Sequence, residues 1–356
     1  MAVVEETTWR SLLSALAERR DLSTEETGWA VRETVAGRAP AVALAGFLAA
    51  LRVKGETVEE LFGVVEALLA AAIPVRVDRP CHDIAGTGGD GTGAMNLSTL
   101  AAIVAAGAGC TVVKHGGRAA SSQTAGSADL IEALGLPLAN SAEPCRGAGA
   151  GRFRYLFAPE VNPGLRHAVD ARRGLGIPTI FNLAAPLINP ARPEHPVIGV
   201  ADAGRVRMLA ETLQRLGRRG LVVHGHDGLD KLTTTDVSEV WIVREDSLQQ
   251  LVFDPTALGL PRAGPTDLRG ATAAENAERA RAVLSGRRGP LRDAVVLNAA
   301  AVIVAGDVTR TDFETRLEGG IRQAEEAIDR GSAAAVLDDT REDRVRRDRQ
   351  AGEVSP

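Results

Sequence analysis

Lysine is the scarcest base in this sequence. It occurs only at Lys54, Lys114 and Lys231, and every other strong base is arginine. Aromatic residues make up 3% of the 356 residues, so any core must be built from alanine, valine and leucine. The three cysteines, Cys81, Cys110 and Cys145, form no CxxC and no metal-ligand spacing. That excludes a disulfide framework and reads as a reducing cytoplasm. A net charge of −5 offers no basic face to a phosphate backbone, so nucleic acid is not an expected partner. No uncharged apolar run reaches the roughly 18 residues a membrane span needs. The opening MAVVEETTWR has neither the basic nor the apolar region of a signal peptide. What the chain does have is 45% apolar residues, 38 glycines and the length for two domains, or for one large α/β domain with a satellite.

Residues 1–75 read as helices alone. Ser23 with Glu26 and Thr57 with Glu60 are capping boxes, each offering a side-chain oxygen to the first turn of a helix. After the second box, Val58, Leu61, Phe62, Val65, Leu68 and Leu69 form one apolar helical stripe. From about residue 80 short strand-like runs alternate with alanine-rich helical stretches. HDIAG, TVVKHGG, TIFNL, PVIGV, GLVVHG and EVWIV are the expected buried strands. This alternation predicts an α/β fold with a mostly parallel central sheet flanked by helices, plus a small all-α domain. The large domain is expected over 80–335, and the polar tail at 336–356 is expected to fray.

Loops after parallel strands lie at the carboxyl edge of a sheet, where α/β proteins bind ligands. The first is GTGGDGTGAMNLST. Gly86, Gly88 and Gly89 bare their backbone N–H groups, and a helix starting near Asn96 or Ser98 aims its own N–H groups at the same place, as phosphate or diphosphate requires. The loop fits neither GxxxxGK[ST] nor GxGxxG with a distant acid, and the plainer reading is a flexible turn. The second, VVKHGGRAASSQTAGSADL, adds Lys114, His115, Arg118, Ser121 and Ser122, a second anion cradle. On its own, His115 is more often a structural histidine than a catalyst. The third, VVHGHDGLDKLTTTD, carries Asp227 and Asp230, acceptors for Mg²⁺ or a sugar hydroxyl, or else a solvated turn. Further along, Arg172 and Arg173 offer a fork for a carboxylate, although paired arginines in an arginine-rich chain are usually solvated.

Taken in order, GTGGD…NLST, KHG-R-ASS, FAP…RH…RR-LGI-TIFNL, VVHG-DGLD-LTTT and the late GPLRDAVVLNAAAVIVAG resemble the anthranilate phosphoribosyltransferases over roughly residues 10 to 335. The resemblance implies a two-domain fold like that of nucleoside phosphorylases and phosphoribosyltransferases. A helical domain, 1–75 completed by helices around 165–195, is hinged to the α/β domain, usually in a homodimer. It also implies transfer of ribose 5-phosphate from phosphoribosyl diphosphate to the amine of anthranilate, with Mg²⁺. Carried over by position, Gly86, Thr87, Gly88, Gly89, Asp90, Asn96, Ser98, Thr99, Lys114 and Ser122 hold the donor. Ser98 and Asp230 ligate the metal. His115, Gly117, Asn162, Arg172 and Ala185 face the acceptor, and Asp230, Lys231 and His115 are the catalytic candidates.

The chain departs from that pattern where the resemblance places substrate. Lys231 replaces the family's glutamate after Asp230, Gly117 its asparagine, and Asn162 its histidine; Ala184 and Ala185 stand for Leu-Gly. Exchanging a carboxylate for an ammonium changes the local charge by two units, which leaves one Mg²⁺ more plausible than two. Each lost buried hydrogen-bond partner costs about 1–3 kcal/mol. The expectation is therefore a diverged glycosyltransferase that moves a phosphoribosyl or related sugar group onto a small aromatic or anionic acceptor, in specialised metabolism. The alternatives are the ordinary anthranilate enzyme of tryptophan synthesis, a pyrimidine-nucleoside phosphorylase-like enzyme, and a non-catalytic binding protein.

Overall fold

The computed structural model describes residues 6–118, 125–138, 151–264 and 266–341. Four helices come first: α1 (Trp9–Ala17), α2 (Thr24–Val35), α3 (Ala41–Lys54) and α4 (Val58–Ala71). The capping boxes at Ser23/Glu26 and Thr57/Glu60 open α2 and α4, and Thr8 with Ser11 makes another before α1. Helix α4 buries Leu61, Val65, Leu68 and Leu69 of the expected stripe and also Val64, a wider face than the stripe alone. Phe62, at the stripe's edge, carries the Arg215 guanidinium over its ring at 4.1 Å.

The rest of the chain builds one seven-stranded sheet. In chain order its elements are β1 (His82–Gly86), α5 (Leu97–Gly107), β2 (Val112–Gly116), α6 (Ser127–Ala133), β3 (Phe153–Phe157), α7 (Ala158–Val161), α8 (Val169–Leu175), α9 (Ile180–Ala184), β4 (His195–Gly199), α10 (Val206–Arg215) and β5 (Gly220–Gly225). There follow β6 (Ser238–Val243), β7 (Leu248–Phe253), α11 (Ala273–Leu284), α12 (Pro290–Val304) and α13 (Phe313–Asp329). The strand order is β3-β2-β1-β4-β5-β6-β7, parallel from β3 to β5 and antiparallel from β5 to β7. Neighbouring residues on a strand face opposite ways, so each sheet face covers its own core. Val197, Leu221 and Val223 pack with α5, α12 and α13, whereas Ile198 and Val222 pack with the helical bundle, α9 and α10.

Three details differ from the sequence reading. TIFNL is a helix, not a strand: Asn182 reaches back over the first turn of α9, its Oδ1 accepting from Thr179 N–H at 3.0 Å, and Ile180, Phe181 and Leu183 bury against the bundle. A short apolar run without a longer period cannot choose between the two, and the cap decides. The strands β3 and β7 were not expected, because FRYLF follows a glycine-rich stretch and LQQLVF is half polar on an exposed edge. Third, residues 332–341 are helical, with Val336 and Leu337 buried, so the first part of the expected polar tail belongs to the fold. Cys145 lies outside the described residues. Among the described residues no helix is long and apolar enough to cross a membrane.

Candidate active site

The chain leaves β1 for β2 on one side of the sheet and later returns to lay β4 on the other. The crevice beyond the carboxyl ends of β1 and β4 is thus a topological switch point, the usual ligand position of open parallel sheets. Both strands end in glycine there, and the reason is contact. A methyl group on Gly199 would coincide with the Asp230 carbonyl oxygen, and one on Gly86 would strike the Asp230 carboxylate. The loop after β5 therefore crosses directly over the strand ends and brings Asp230 to the first glycine loop, where Gly88 N–H donates to Asp230 Oδ2 at 2.9 Å.

That first loop is held by its own residues. Thr87 N–H donates to Gly199 O at 2.9 Å, and Thr87 Oγ1 accepts from Ala201 N–H at 3.1 Å. Gly88 and Gly89 have φ values of 68° and 74°, the left-handed region, with open space where a side chain would be. Asp90 Oδ1 accepts from the Thr92 N–H and hydroxyl, both at 3.0 Å. The helix α5 then starts after Asn96. Asn96 spends its amide on structure, donating to Ala125 O at 2.7 Å and accepting from Asn276 at 3.1 Å. Ser98, half-buried on the first turn, has a hydroxyl with no partner among the described residues, and the buried Thr99 hydroxyl is likewise unpaired.

Two lysines meet three aspartates here. Lys114 on β2 is buried and donates to the Ile84 carbonyl of β1. Its charge counters buried Asp83, whose Oδ2 also accepts from Asn189 at 2.8 Å. Burial lowers the Lys114 pKa and raises that of Asp83, each opposed by the other's charge. Lys231 donates to Asp230 Oδ1 and lies 3.8 Å from Asp90 Oδ2. Burial alone would lower the Lys231 ammonium, but the carboxylates of Asp230 and Asp90 outweigh it and hold its pKa above the ordinary value. Lys54, the third lysine, is also buried, paired to Asp21 at 2.6 Å and Glu60 at 3.1 Å.

On the other side of Lys114, buried His115 has both faces of its imidazole engaged. Asn162 Nδ2 lies 3.1 Å from His115 Nε2, and the backbone of Ala185 makes the other hydrogen bond. Burial and the neighbouring Lys114 ammonium push His115 down to about 4, so the ring is neutral at pH 7. Ala185 follows directly on α9, whose Phe181 ring lies 5.9 Å beneath the guanidinium of half-buried Arg172 on α8. Arg172 has no ion-pair partner among the described residues, whereas exposed Arg173 lies 3.8 Å from Asp170. Gly117 has open space where a side chain would project.

His82 on β1 behaves as His115 does. Its ring lies tilted against that of His195 of β4, centroids 5.2 Å apart, and burial, then the charge of His195, push its pKa down to about 4. Both histidines are about 6.5 when unfolded, so the unfolded chain binds more protons below that pH. Their contribution to stability is complete above about pH 6.5 and lost as the pH falls towards 4, by up to about 3 kcal/mol each. Urea unfolding of the wild type is expected to show a lower midpoint at pH 5 than at pH 7.5, with His82→Gln narrowing the gap. Equal midpoints for the wild type would contradict this.

The structure brings Gly86, Thr87, Gly88, Gly89, Asp90, Asp230 and Lys231 together at the switch point, with Lys114 behind them. It sets His115, Asn162 and Ala185 as a second group. Ser122 lies outside the described residues, as does Ser121. Asp227 is a loop-former: its Oδ1 accepts from Leu229 N–H at 3.1 Å and its Oδ2 from the Thr233 hydroxyl at 2.8 Å. The sequence reading overlooked Asp83, Asn189, Gly199 and Asn276. A charged residue inside the strand HDIAG was the available sign for Asp83; for the others only the fold supplies one.

Residues 78–334 match the glycosyl transferase family a/b domain and residues 10–72 the glycosyl transferase family helical bundle domain. The anthranilate phosphoribosyltransferase of Acidothermus cellulolyticus is 48% identical over 332 residues, 93% of either chain. Among solved structures, the anthranilate phosphoribosyltransferase of Thermus thermophilus superposes with a TM-score of 0.83 at 42% identity, covering 92% of this chain and 97% of its own. The Saccharomyces cerevisiae enzyme in complex with PRPP and Mg also gives 0.83, at 27% identity, covering 95% and 98%.

Proposed function

This chain belongs to the anthranilate phosphoribosyltransferase family of glycosyl transferases, and we propose that it transfers the phosphoribosyl group of phosphoribosyl diphosphate to the amine of anthranilate. The observation that carries the reading is the switch point itself: an open glycine loop, Asp230 and Lys231 converge on one crevice at the sheet's carboxyl edge. The Gly89 N–H, without a partner among the described residues, together with the N-terminus of α5, favours a diphosphate there.

In the transfer the C1–O bond breaks with its electron pair leaving on diphosphate, a C1–N bond forms, and the amine gives up one proton. An oxocarbenium-like centre needs no strong base but does need the leaving charge stabilised and the partners aligned. Lys231 and the loop N–H groups supply the first. We read His115 as a positioning residue, because both ring nitrogens are already engaged. The diphosphate being released is then the proton acceptor at hand. Arg172 pairs with the carboxylate of the acceptor.

The donor set fits Mg²⁺: the free Ser98 hydroxyl and the carboxylates of Asp90 and Asp230 are hard oxygens. Among the described residues no group of three or more His, Cys, Asp and Glu forms a cage, as suits an ion that keeps waters and takes phosphate oxygens. Bound there, the ion supplies countercharge to the diphosphate. Loss of anthranilate fluorescence on mixing the purified chain with Mg²⁺ and phosphoribosyl diphosphate tests the reading. Arg172→Ala is expected to raise the anthranilate KM about 10- to 100-fold, the worth of a charge-assisted fork, with kcat little changed. Folded protein that consumes no anthranilate would overturn the assignment.

A second reading keeps the donor and changes the acceptor, towards specialised metabolism. Asn162 locking His115, the open space at Gly117 and the alanine at 185 favour it. The relatives' identity over nearly the whole chain favours the ordinary acceptor. The same assay, repeated with other aromatic amines, separates the two.

A further inference from the structure

Asp90 and Asp230 share one cation. Lys231 Nζ donates to Asp230 Oδ1 and stands 3.8 Å from Asp90 Oδ2; all three side chains are largely buried. The pair is anchored on the ligand side, because Asp230 Oδ2 is already taken by Gly88 N–H and Asp90 Oδ1 by Thr92. Each carboxylate thus keeps one oxygen for the shared charge, and the ammonium fills the gap. Two carboxylates facing a common point beside an anion-binding loop is an arrangement that otherwise draws a divalent ion. A chain that uses arginine almost everywhere has here a base with a flexible four-carbon stem and a compact charge, able to change partners by rotation alone.

We infer that Lys231 is the resident cation of this site: it holds the Asp90–Asp230 gap in the free protein and turns to the diphosphate when the donor enters. The loaded site therefore takes one divalent ion instead of two. The exchange is balanced. The incoming phosphate gains the ammonium, and the carboxylates it leaves are free to hold the single ion that arrives with the donor. A built-in ammonium loses no entropy of capture at each turnover and does not dissociate with the product. The inference deepens the proposed reaction and rests on it.

Equilibrium dialysis of the full chain against Mn²⁺ with saturating phosphoribosyl diphosphate tests it, the excess manganese on the protein side being counted by elemental analysis. The wild type is expected to hold one ion per chain and Lys231→Glu two. Thermal unfolding without donor gives an independent readout: Mg²⁺ is expected to raise the melting temperature of Lys231→Glu and leave that of the wild type unchanged. Should Lys231→Glu not fold, Lys231→Met carries the test, with one ion bound and donor affinity about tenfold or more weaker, the loss of one charge-assisted contact. Two ions in the wild type, or donor affinity unchanged in Lys231→Met, would overturn the inference while leaving the proposed reaction intact. Failure of the wild type to take up the donor at all would overturn both.

Discussion

Alanine in place of Gly199 is expected to cost the protein about 3 kcal/mol or more and to abolish donor binding. The added methyl would coincide with a backbone oxygen, the Asp230 carbonyl, and neither β4 nor the crossing loop can turn a backbone aside without breaking its own hydrogen bonds. Gly86→Ala is the instructive partner. There the methyl meets the Asp230 carboxylate, a side chain that can swing. Gly86→Ala is expected to fold with a smaller loss and still to fail in binding, since a displaced carboxylate gives up Gly88 N–H and Lys231 together. Urea unfolding and calorimetric titration with phosphoribosyl diphosphate separate the cases. Wild-type stability in Gly199→Ala would mean that the loop does not cross where the structure has it.

Removing the Lys114 ammonium is expected to be nearly as damaging. Lys114→Met leaves buried Asp83 without a counter-charge, held only by neutral donors, the Asn189 amide and the backbone of Ile84 and His115, and an uncompensated buried charge costs about 3–5 kcal/mol. The double variant Asp83→Asn/Lys114→Met removes both charges and is expected to recover much of that loss, because burying a charge pair gains little over burying its neutral analogue. The measurement is the urea midpoint of all three proteins. A single variant within about 1 kcal/mol of the wild type would show that Asp83 is already neutral when Lys114 is present, since only a charged Asp83 incurs the penalty. Burial does push the Asp83 carboxyl up, against the pull of the Lys114 charge.

The helices and most strands were legible because their signals are local. The capping boxes at Ser23 and Thr57 depend on residues three apart, and GLVVHG is apolar enough to be a strand in any context. The open backbone of the glycine loop was legible for the same reason: its positive φ angles are consequences of glycine itself. What sequence could not carry was proximity between distant segments. Nothing in PVIGV marks Gly199 as the place where residue 230 crosses, and nothing in LINP marks Asn189 as the partner of Asp83. His115 could be read as a base from its neighbours in sequence; only the approach of Asn162 and Ala185 shows both nitrogens engaged. The β7 edge escaped because a half-polar, half-exposed strand does not alternate cleanly.

The seclusion of all three lysines has a consequence for anyone who handles this protein. Side-chain exposure is 5% at Lys54 and 13% at Lys231, and Lys114 is 2% exposed as a residue. Reagents that acylate amines, and so decorate the outside of most proteins, find almost no side-chain target on this exterior, where arginine carries the positive charge. Slow acylation at Lys231 would instead clock how often the crevice opens to water, and a bound donor that claims the ammonium would stop that clock.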